Sequence, residues 1–414
     1  MTDRHRVVMI ATSYPRFPGD TVGTFMEPIA QGLSDRGHQI HMVLPWHPRW
    51  ARGEADGAVR FHLYKYAPAA GLSVFGYAGA LEADERLRGA ALAAAPLALL
   101  AGCRAARVVA RRVGATLVHG HWVVPSGAMA AAVAARRPLV ISLHGSDVFV
   151  AERYRLAGAA ARWALGRAGS ITACSDDLRR RAIALGARGE STCTVPYGVD
   201  TRRFRPDAAA RARLRAAWQV ADDDPVIFAA GRFVRKKGFE HLIDAVARLG
   251  ATRPRLRLVL AGGGDLRQEY EDRIARAQMT RQVILPGVLG QDAVADGLAA
   301  SDVVAVPSVR DRSGNVDGLP NVVLEALASG TPVVASPAGG IGSVVADGVT
   351  GLLVPEADPA RLADAIASLI DSRARAAAIG AAGRQWAQRE GSWQRAIDGF
   401  ERAYLSASRR SPRA

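Results

Sequence analysis

Two carboxylates eight residues apart, Asp317 and Glu325, bracket a segment whose residue types could do chemistry. Pro320 stands at the start and Gly330 just past the end of an apolar stretch, which predicts a short helix opening after a loop. The first N–H groups of such a helix, with its dipole behind them, attract phosphate. Asn321 and Glu325 are four residues apart, so Glu325 shares a face with the first turn and could accept two hydrogen bonds from a vicinal diol such as a ribose. Upstream, an apolar run ends in Gly231-Arg232-Phe233-Val234-Arg235-Lys236-Lys237-Gly238, and a helix is expected from Glu240. Arg232 and Lys237 thus frame a loop at a strand end. Two fixed cations there suit a leaving diphosphate, whose bridging oxygen gains charge as the bond breaks.

The lysines sharpen this reading. Lys65, Lys236 and Lys237 are the only three, against 51 arginines, so two of three stand side by side. A compact ammonium on a flexible stem does what a planar guanidinium cannot, and a site needing the first does not freely accept the second.

Other constellations are weaker. Asp222-Asp223-Asp224 fits an Asp-x-Asp metal formula but precedes a strand, and reads as a solvated turn. His119-Gly120-His121 puts two imidazoles on one strand face without a third ligand at recognisable spacing, and reads as a strand end lining a cleft. Ala261-Gly262-Gly263-Gly264-Asp265 is no Gly-x-Gly-x-x-Gly, which argues against a dinucleotide oxidoreductase.

The elements that must position these residues alternate. Apolar runs over 5–11, 39–44, 116–119, 139–143, 170–174 and 193–195 read as strands separated by helix-length segments. The pattern restarts over 225–230, 256–261, 283–286, 302–307, 331–336 and 352–355. Runs that are continuously apolar imply parallel sheets covered on both faces, hence two doubly wound α/β domains. The proline-bounded segment 196–207 is the expected linker, giving an N-terminal domain over 1–198 and a C-terminal domain over 199–385. Trp386, Trp393, Ile397, Phe400 and Tyr404 form an amphipathic stripe, so 386–414 is expected to be a final helix, crossing back to the first domain, and a tail.

With 414 residues, 49% of them hydrophobic and 22% charged, the chain has the composition of a globular protein large enough for two or three cores. The net charge is +15, and residues 1–198 hold 24 basic and 14 acidic side chains, so the first half carries +10. Such a field suits nucleic acid, an anionic bilayer or only solvent; no helix-turn-helix, zinc-finger or RNA-binding signature supports nucleic acid. Arg86, Arg88, Arg104, Arg107, Arg111 and Arg112 flank an Ala/Leu stretch around Pro96, as a helix lying on a membrane surface or a core helix with a basic face would. That stretch reads as about fourteen residues, short of the roughly 20 a bilayer span needs. The N-terminus shows no apolar stretch of signal-peptide type, so a cytosolic protein is expected. Cys103, Cys174 and Cys193 have no disulfide or zinc spacing and read as buried thiols.

Taken in order, Thr12-Ser13-Tyr14-Pro15 with Gly19 and Gly23, His144-Gly145-Ser146-Asp147, Pro196-Tyr197-Gly198-Val199-Asp200, Gly231-Arg232 with Lys237-Gly238, Pro286-Gly287, Asp317 with Glu325, and Thr331-Pro332-Val333 resemble the retaining GT-B glycosyltransferases of group 1 / family 4. The resemblance covers the whole chain. It implies two Rossmann-like domains facing across a cleft. It further implies that Arg232 and Lys237 hold the nucleotide diphosphate, that Glu325 binds the ribose, and that Val288 contacts the base. Gly318, Leu319, Pro320, Asn321 and the Gly23 loop would approach the phosphates or the sugar. His144 would touch the donor sugar and the acceptor side, and Asp317 the transferred sugar. The chain departs from the family in having Asp317 where Glu is usual, and in separating Gly19 from Gly23 where the glycines are normally adjacent.

The activity so implied is transfer of a sugar from a nucleotide-diphosphate donor to an acceptor hydroxyl with retained configuration and no metal or other cofactor. A saccharide or lipid-linked acceptor of a surface-polysaccharide pathway is expected, with the protein in the cytoplasm, peripheral on the inner face of the cell membrane. The alternatives are a nucleotide-sugar epimerase of the same architecture and a basic membrane-surface binding protein without catalysis.

Overall fold

The computed structural model describes residues 4–67, 73–77, 81–82, 86–87 and 89–410. Arg88 and residues 411–414 of the tail lie outside them. The chain forms two compact units, residues 1–197 with 393–414, and residues 198–392.

The first unit is built on strands β1 (Arg6–Ile10), β2 (Gln39–Pro45), β3 (Ala55–Asp56), β4 (Val59–Tyr64), β7 (Leu117–His121), β8 (Leu139–Leu143), β9 (Ser170–Ala173) and β10 (Thr192–Thr194), with a small ribbon of β5 (Leu81–Glu82) and β6 (Arg86–Leu87) between β4 and β7. The large sheet runs β10-β9-β8-β7-β1-β2-β4-β3, parallel except where β3 meets β4. Val7 to Ile10 are fully buried, which the continuous apolar run required. In the second unit β11 (Val226–Arg232), β12 (Arg257–Gly263), β13 (Val283–Ile284), β14 (Val303–Val306), β15 (Val333–Ala335) and β16 (Leu352–Leu353) are ordered β13-β12-β11-β14-β15-β16, with every pairing parallel. Strand order reverses at β1/β7 and at β11/β14. Open α/β sheets bind ligands beyond the carboxyl ends of strands at such points.

The stripe expected to form one helix over 386–414 belongs to two. Helix Arg373–Arg389 carries Trp386 in the second unit, and helix Trp393–Arg410 returns to the first. Gly391 and Ser392 break the path, and the Val199 N–H donates to the Gly391 carbonyl at 2.8 Å. Ile397, Phe400 and Tyr404 then join the core formed by β1, β2 and helix Met26–Asp35.

Two further expectations are corrected. The Ala/Leu stretch belongs to helix Gly89–Arg112, which continues through Pro96, and its segment Ala93–Arg112 is long and apolar enough to cross a bilayer by length and composition. Arg104 and Arg107 hid its length in the sequence. Its inner side, including Ala91, Ala98 and Ala106, is buried, whereas Leu97, Leu100 and Val108 are exposed. Of the cysteines only Cys174 is buried; Cys193 is exposed on β10, which lies at the sheet edge, and Cys103 is intermediate.

Candidate functional site

Strand β11 ends at Arg232, an exposed residue paired in register with Gly263 of β12. The chain then turns through the single 3-10 turn Arg235–Lys237 into helix Phe239–Gly250. Gly238 joins them at φ +64°, and a Cβ there would stand 2.0 Å from the Pro307 carbonyl oxygen, so only glycine fits. The Val309 N–H donates to the Lys236 carbonyl at 2.9 Å. The lysine turn is thereby fastened through its backbone to the segment leaving β14.

That segment leads to the carboxylates. Helix Asn321–Ser329 opens at Pro320 and closes at Gly330 in the left-handed conformation, φ +71°. Asp317 precedes it, pinned from behind by Gly339, where a Cβ would lie 1.8 Å from the Asp317 carbonyl oxygen. Both lysines converge on it: Lys236 Nζ lies 3.2 Å from Oδ1 and Lys237 Nζ 2.6 Å from Oδ2. Burial pushes the Asp317 carboxyl up, but the Lys237 and Lys236 ammonium groups outweigh it and hold the pKa below the ordinary value.

Glu325 behaves oppositely. Buried Val322, Val323, Leu324 and Ala326 surround it in its helix, and burial raises its carboxyl to about 7, against a smaller pull from Arg203 and Lys237. One loop therefore presents an ionised carboxylate and, eight residues on, one poised near neutrality. A carboxylate starved of hydrogen bonds gains most from a ligand that donates them. Near Arg232, Val288 is 64% exposed beside Gly263, and the Gly262 N–H donates to the Gly287 carbonyl at 2.8 Å. Lys237, Asp317 and Glu325 are thus gathered in the second unit, with Gly318, Leu319, Pro320 and Asn321 in the connecting loop and first turn, and Arg232 and Val288 paired through Gly263.

Gly23 and His144 belong to the first unit. The loop around Gly23, φ +68°, is stapled by a buried pair in which Arg16 Nε and Nη2 donate to Asp20 at 2.6 and 2.9 Å. The Phe25 ring, two residues on, lies tilted by 34° against the His144 ring, their centroids 4.8 Å apart. His144 Nδ1 lies 2.7 Å from the Tyr197 hydroxyl and Nε2 lies 3.0 Å from His121 Nδ1. Desolvation, then His119, pushes His144 down to about 3, so the ring is neutral at pH 7. With both nitrogens engaged by protein, the ring meets a sugar only by exchanging one of them. Asp147 fixes the loop beneath, accepting from the backbone N–H groups of Val123, His144 and Gly145 at 2.7, 3.2 and 2.8 Å.

The rival constellations resolve into structure. His119 and His121 are fully buried and do not line an opening. His119 spans the Tyr404 and Ser142 hydroxyls at 3.0 and 2.7 Å. The turn at Asp222-Asp223-Asp224 wraps the buried Arg215 guanidinium, which donates to the carbonyls of Ala221 and Asp222. Among the described residues no group of three His, Cys, Asp or Glu side chains has metal-holding geometry. Three residues were not assigned roles from the sequence: Lys236, signalled only by its rarity; Asp147, signalled by its motif; and Arg203, which bears on Glu325 and pairs with Asp292 at 2.9 Å, and for which no pattern spoke.

Comparison with known proteins shows what the chain resembles. The family model for glycosyl transferases group 1 matches residues 210–386, and that for glycosyltransferase family 4 matches residues 22–203. The chain is 35% identical over 224 residues to a GDP-mannose-dependent alpha-(1-6)-phosphatidylinositol monomannoside mannosyltransferase of Mycobacterium tuberculosis, spanning 54% of this chain and 58% of that one. It is 34% identical over 258 residues to a protein of the same description from Mycolicibacterium smegmatis, spanning 61% and 67%. The chain thus spans about three fifths of the length of these curated relatives. Anabaena HepE in complex with UDP superposes over 97% of this chain and all of its own, with a TM-score of 0.74 at 21% identity, which shows a shared fold.

Proposed function

The chain belongs to the group 1 glycosyltransferases and has their GT-B fold, and from that premise we propose that it transfers a hexosyl group from a nucleoside-diphosphate sugar to an acceptor hydroxyl, retaining the anomeric configuration and needing no metal ion. The observation that carries this is the cluster of Lys237, Asp317 and Glu325 at the N-terminus of helix Asn321–Ser329. Arg232, Lys237 and the helix N-terminus supply positive charge to the departing diphosphate, and Glu325 accepts from the ribose hydroxyls. Val288 lies against the base, and Asp317 accepts from the transferred sugar. As the anomeric carbon–oxygen bond to phosphate breaks, the acceptor hydroxyl adds from the same face. The phosphate oxygen takes the hydroxyl's proton, so no enzymic nucleophile is needed.

The acceptor is a lipid-linked saccharide or related glycolipid, held by the first unit around His144 at the cytoplasmic face of the membrane. Two observations support a membrane surface: the relatives' names specify a phosphatidylinositol-based acceptor, and helix Gly89–Arg112 exposes Leu97, Leu100 and Val108 among Arg104, Arg107 and Arg111 without one acidic residue. That the named relatives are transferases favours transfer over epimerisation or plain membrane binding. The test is calorimetric titration with GDP, UDP and ADP, repeated on Glu325→Ala, followed by transfer assays with GDP-mannose and UDP-glucose. Selective binding of one nucleotide that vanishes in the variant supports the assignment; no binding by the wild type would refute it.

A further inference from the structure

Asp317 has two ammonium groups where one would balance its charge. Lys236 and Lys237 are successive residues of one 3-10 turn, about 120° apart around its axis, and only their long stems bring both heads to the same carboxylate. They divide it: Lys236 takes Oδ1 and Lys237 takes Oδ2. Lys236 is the more enclosed, its side chain 6% exposed against 15% for Lys237. Burying an ammonium is unfavourable unless it is paired, and lysine is among the residues least often buried. The chain otherwise uses arginine almost throughout. A guanidinium fork at 236 would engage both oxygens of the carboxylate at once, whereas an ammonium leaves one free.

We infer that Lys236 is a positioning residue of the donor site: it holds Asp317 Oδ1 as a fixed counter-ion, so that Lys237 can leave Oδ2 for an incoming diphosphate while the carboxylate stays charged and aimed at the sugar. The inference rests on the donor-site reading above. When Lys237 turns to the phosphate, Oδ2 becomes an acceptor for a sugar hydroxyl, and Lys236 spares the enclosed carboxylate from standing unpaired. The turn's backbone hold, the Val309 N–H on the Lys236 carbonyl, does not depend on the Lys236 side chain, so its removal leaves Lys237 in place.

The experiment compares full-length wild type, Lys236→Met, Lys236→Arg, Asp317→Asn and the Lys236→Met/Asp317→Asn double variant in titrations with GDP and UDP and with GDP-mannose and UDP-glucose. Lys236→Met is expected to keep the affinity for the bare nucleotide within about twofold. Its affinity for the nucleotide sugar falls about 10- to 100-fold, the scale on which losing a supporting contact disarms a ligand group. On the Asp317→Asn background, where no charge needs holding, the same substitution is silent. Lys236→Arg keeps the charge but occupies Oδ2, so it too loses sugar affinity and keeps nucleotide affinity; this variant decides the matter if Lys236→Met does not fold. Equal weakening of nucleotide and nucleotide sugar, full additivity with Asp317→Asn, or a Lys236→Arg protein indistinguishable from wild type overturns the inference. A wild type that binds no nucleotide overturns instead the donor-site reading beneath it.

Discussion

Glu325 should make the empty protein less stable than it need be, and replacing it with glutamine should show by how much. In the folded chain its carboxyl titrates at about 7, against 4.5 for an unperturbed glutamate. Between those values the native state holds a proton that the unfolded chain has released. Stability from this group therefore falls as pH rises from about 4.5 to about 7 and stays low above. The rise from 4.5 to about 7, at about 1.4 kcal/mol per tenfold in proton affinity, sets a ceiling of about 3.5 kcal/mol, which partial exposure to water lowers to about 1–3 kcal/mol. Glutamine keeps the shape and nearly the same helix propensity without the charge. Thermal unfolding of full-length Glu325→Gln is thus expected on the order of 5 °C above wild type at pH 8, with the difference vanishing near pH 4.5. A ligand diol should reverse the sign: donating to the carboxylate, it expels the proton, so nucleotide affinity in the wild type rises with pH through about 7 and is weak and flat in the variant. A pH-independent difference in melting temperature, or a variant less stable than wild type at pH 8, would refute the reasoning.

Three other perturbations test separate parts of the site. Lys237→Ala should lower kcat about 100- to 1000-fold, the scale of one lost transition-state donor, in a steady-state transfer assay. Gly238→Ala combines a left-handed φ with a Cβ 2.0 Å from a carbonyl oxygen, so denaturant unfolding should show a loss of about 2–4 kcal/mol. Substituting Leu97 and Leu100 by Glu places acids on a helix that has none and should abolish sedimentation with anionic liposomes while leaving nucleotide binding intact; unchanged sedimentation would move the membrane contact elsewhere.

What the sequence disclosed and what it withheld follow from the range of the forces involved. The buried strands were legible because both of their faces are apolar, and helix Asn321–Ser329 because Pro320 and Gly330 punctuate it locally. Strand β4 was not, since Val59-Arg60-Phe61-His62-Leu63-Tyr64 alternates and interrupts its apolar run with charge. The stripe from Trp386 to Tyr404 kept a helical period across a break that only Gly391-Ser392 announced, so one helix was read where the chain makes two in different units. At the site, the lysine pair was conspicuous by type, but its shared hold on Asp317 depends on a turn and a loop about 80 residues apart, which no local pattern encodes. For His144 the motif supplied the residue and the fold supplied its partners, Tyr197 and His121, which decide what its nitrogens are free to do.

The return of helix Trp393–Arg410 to the first unit bears on how the protein is made. Ala396, Ile397, Phe400, Ala403, Tyr404 and Ala407 are buried in a core whose other buried members lie within residues 7–195, so that core is incomplete until residues 396–407 have been synthesised. The second unit, residues 198–392, is by then fully translated. The usual order of biosynthesis, in which the N-terminal domain closes first, is inverted here. The nascent first unit must wait, with the surface around Ile29 and Leu33 uncovered, while the unit that follows it in sequence can fold.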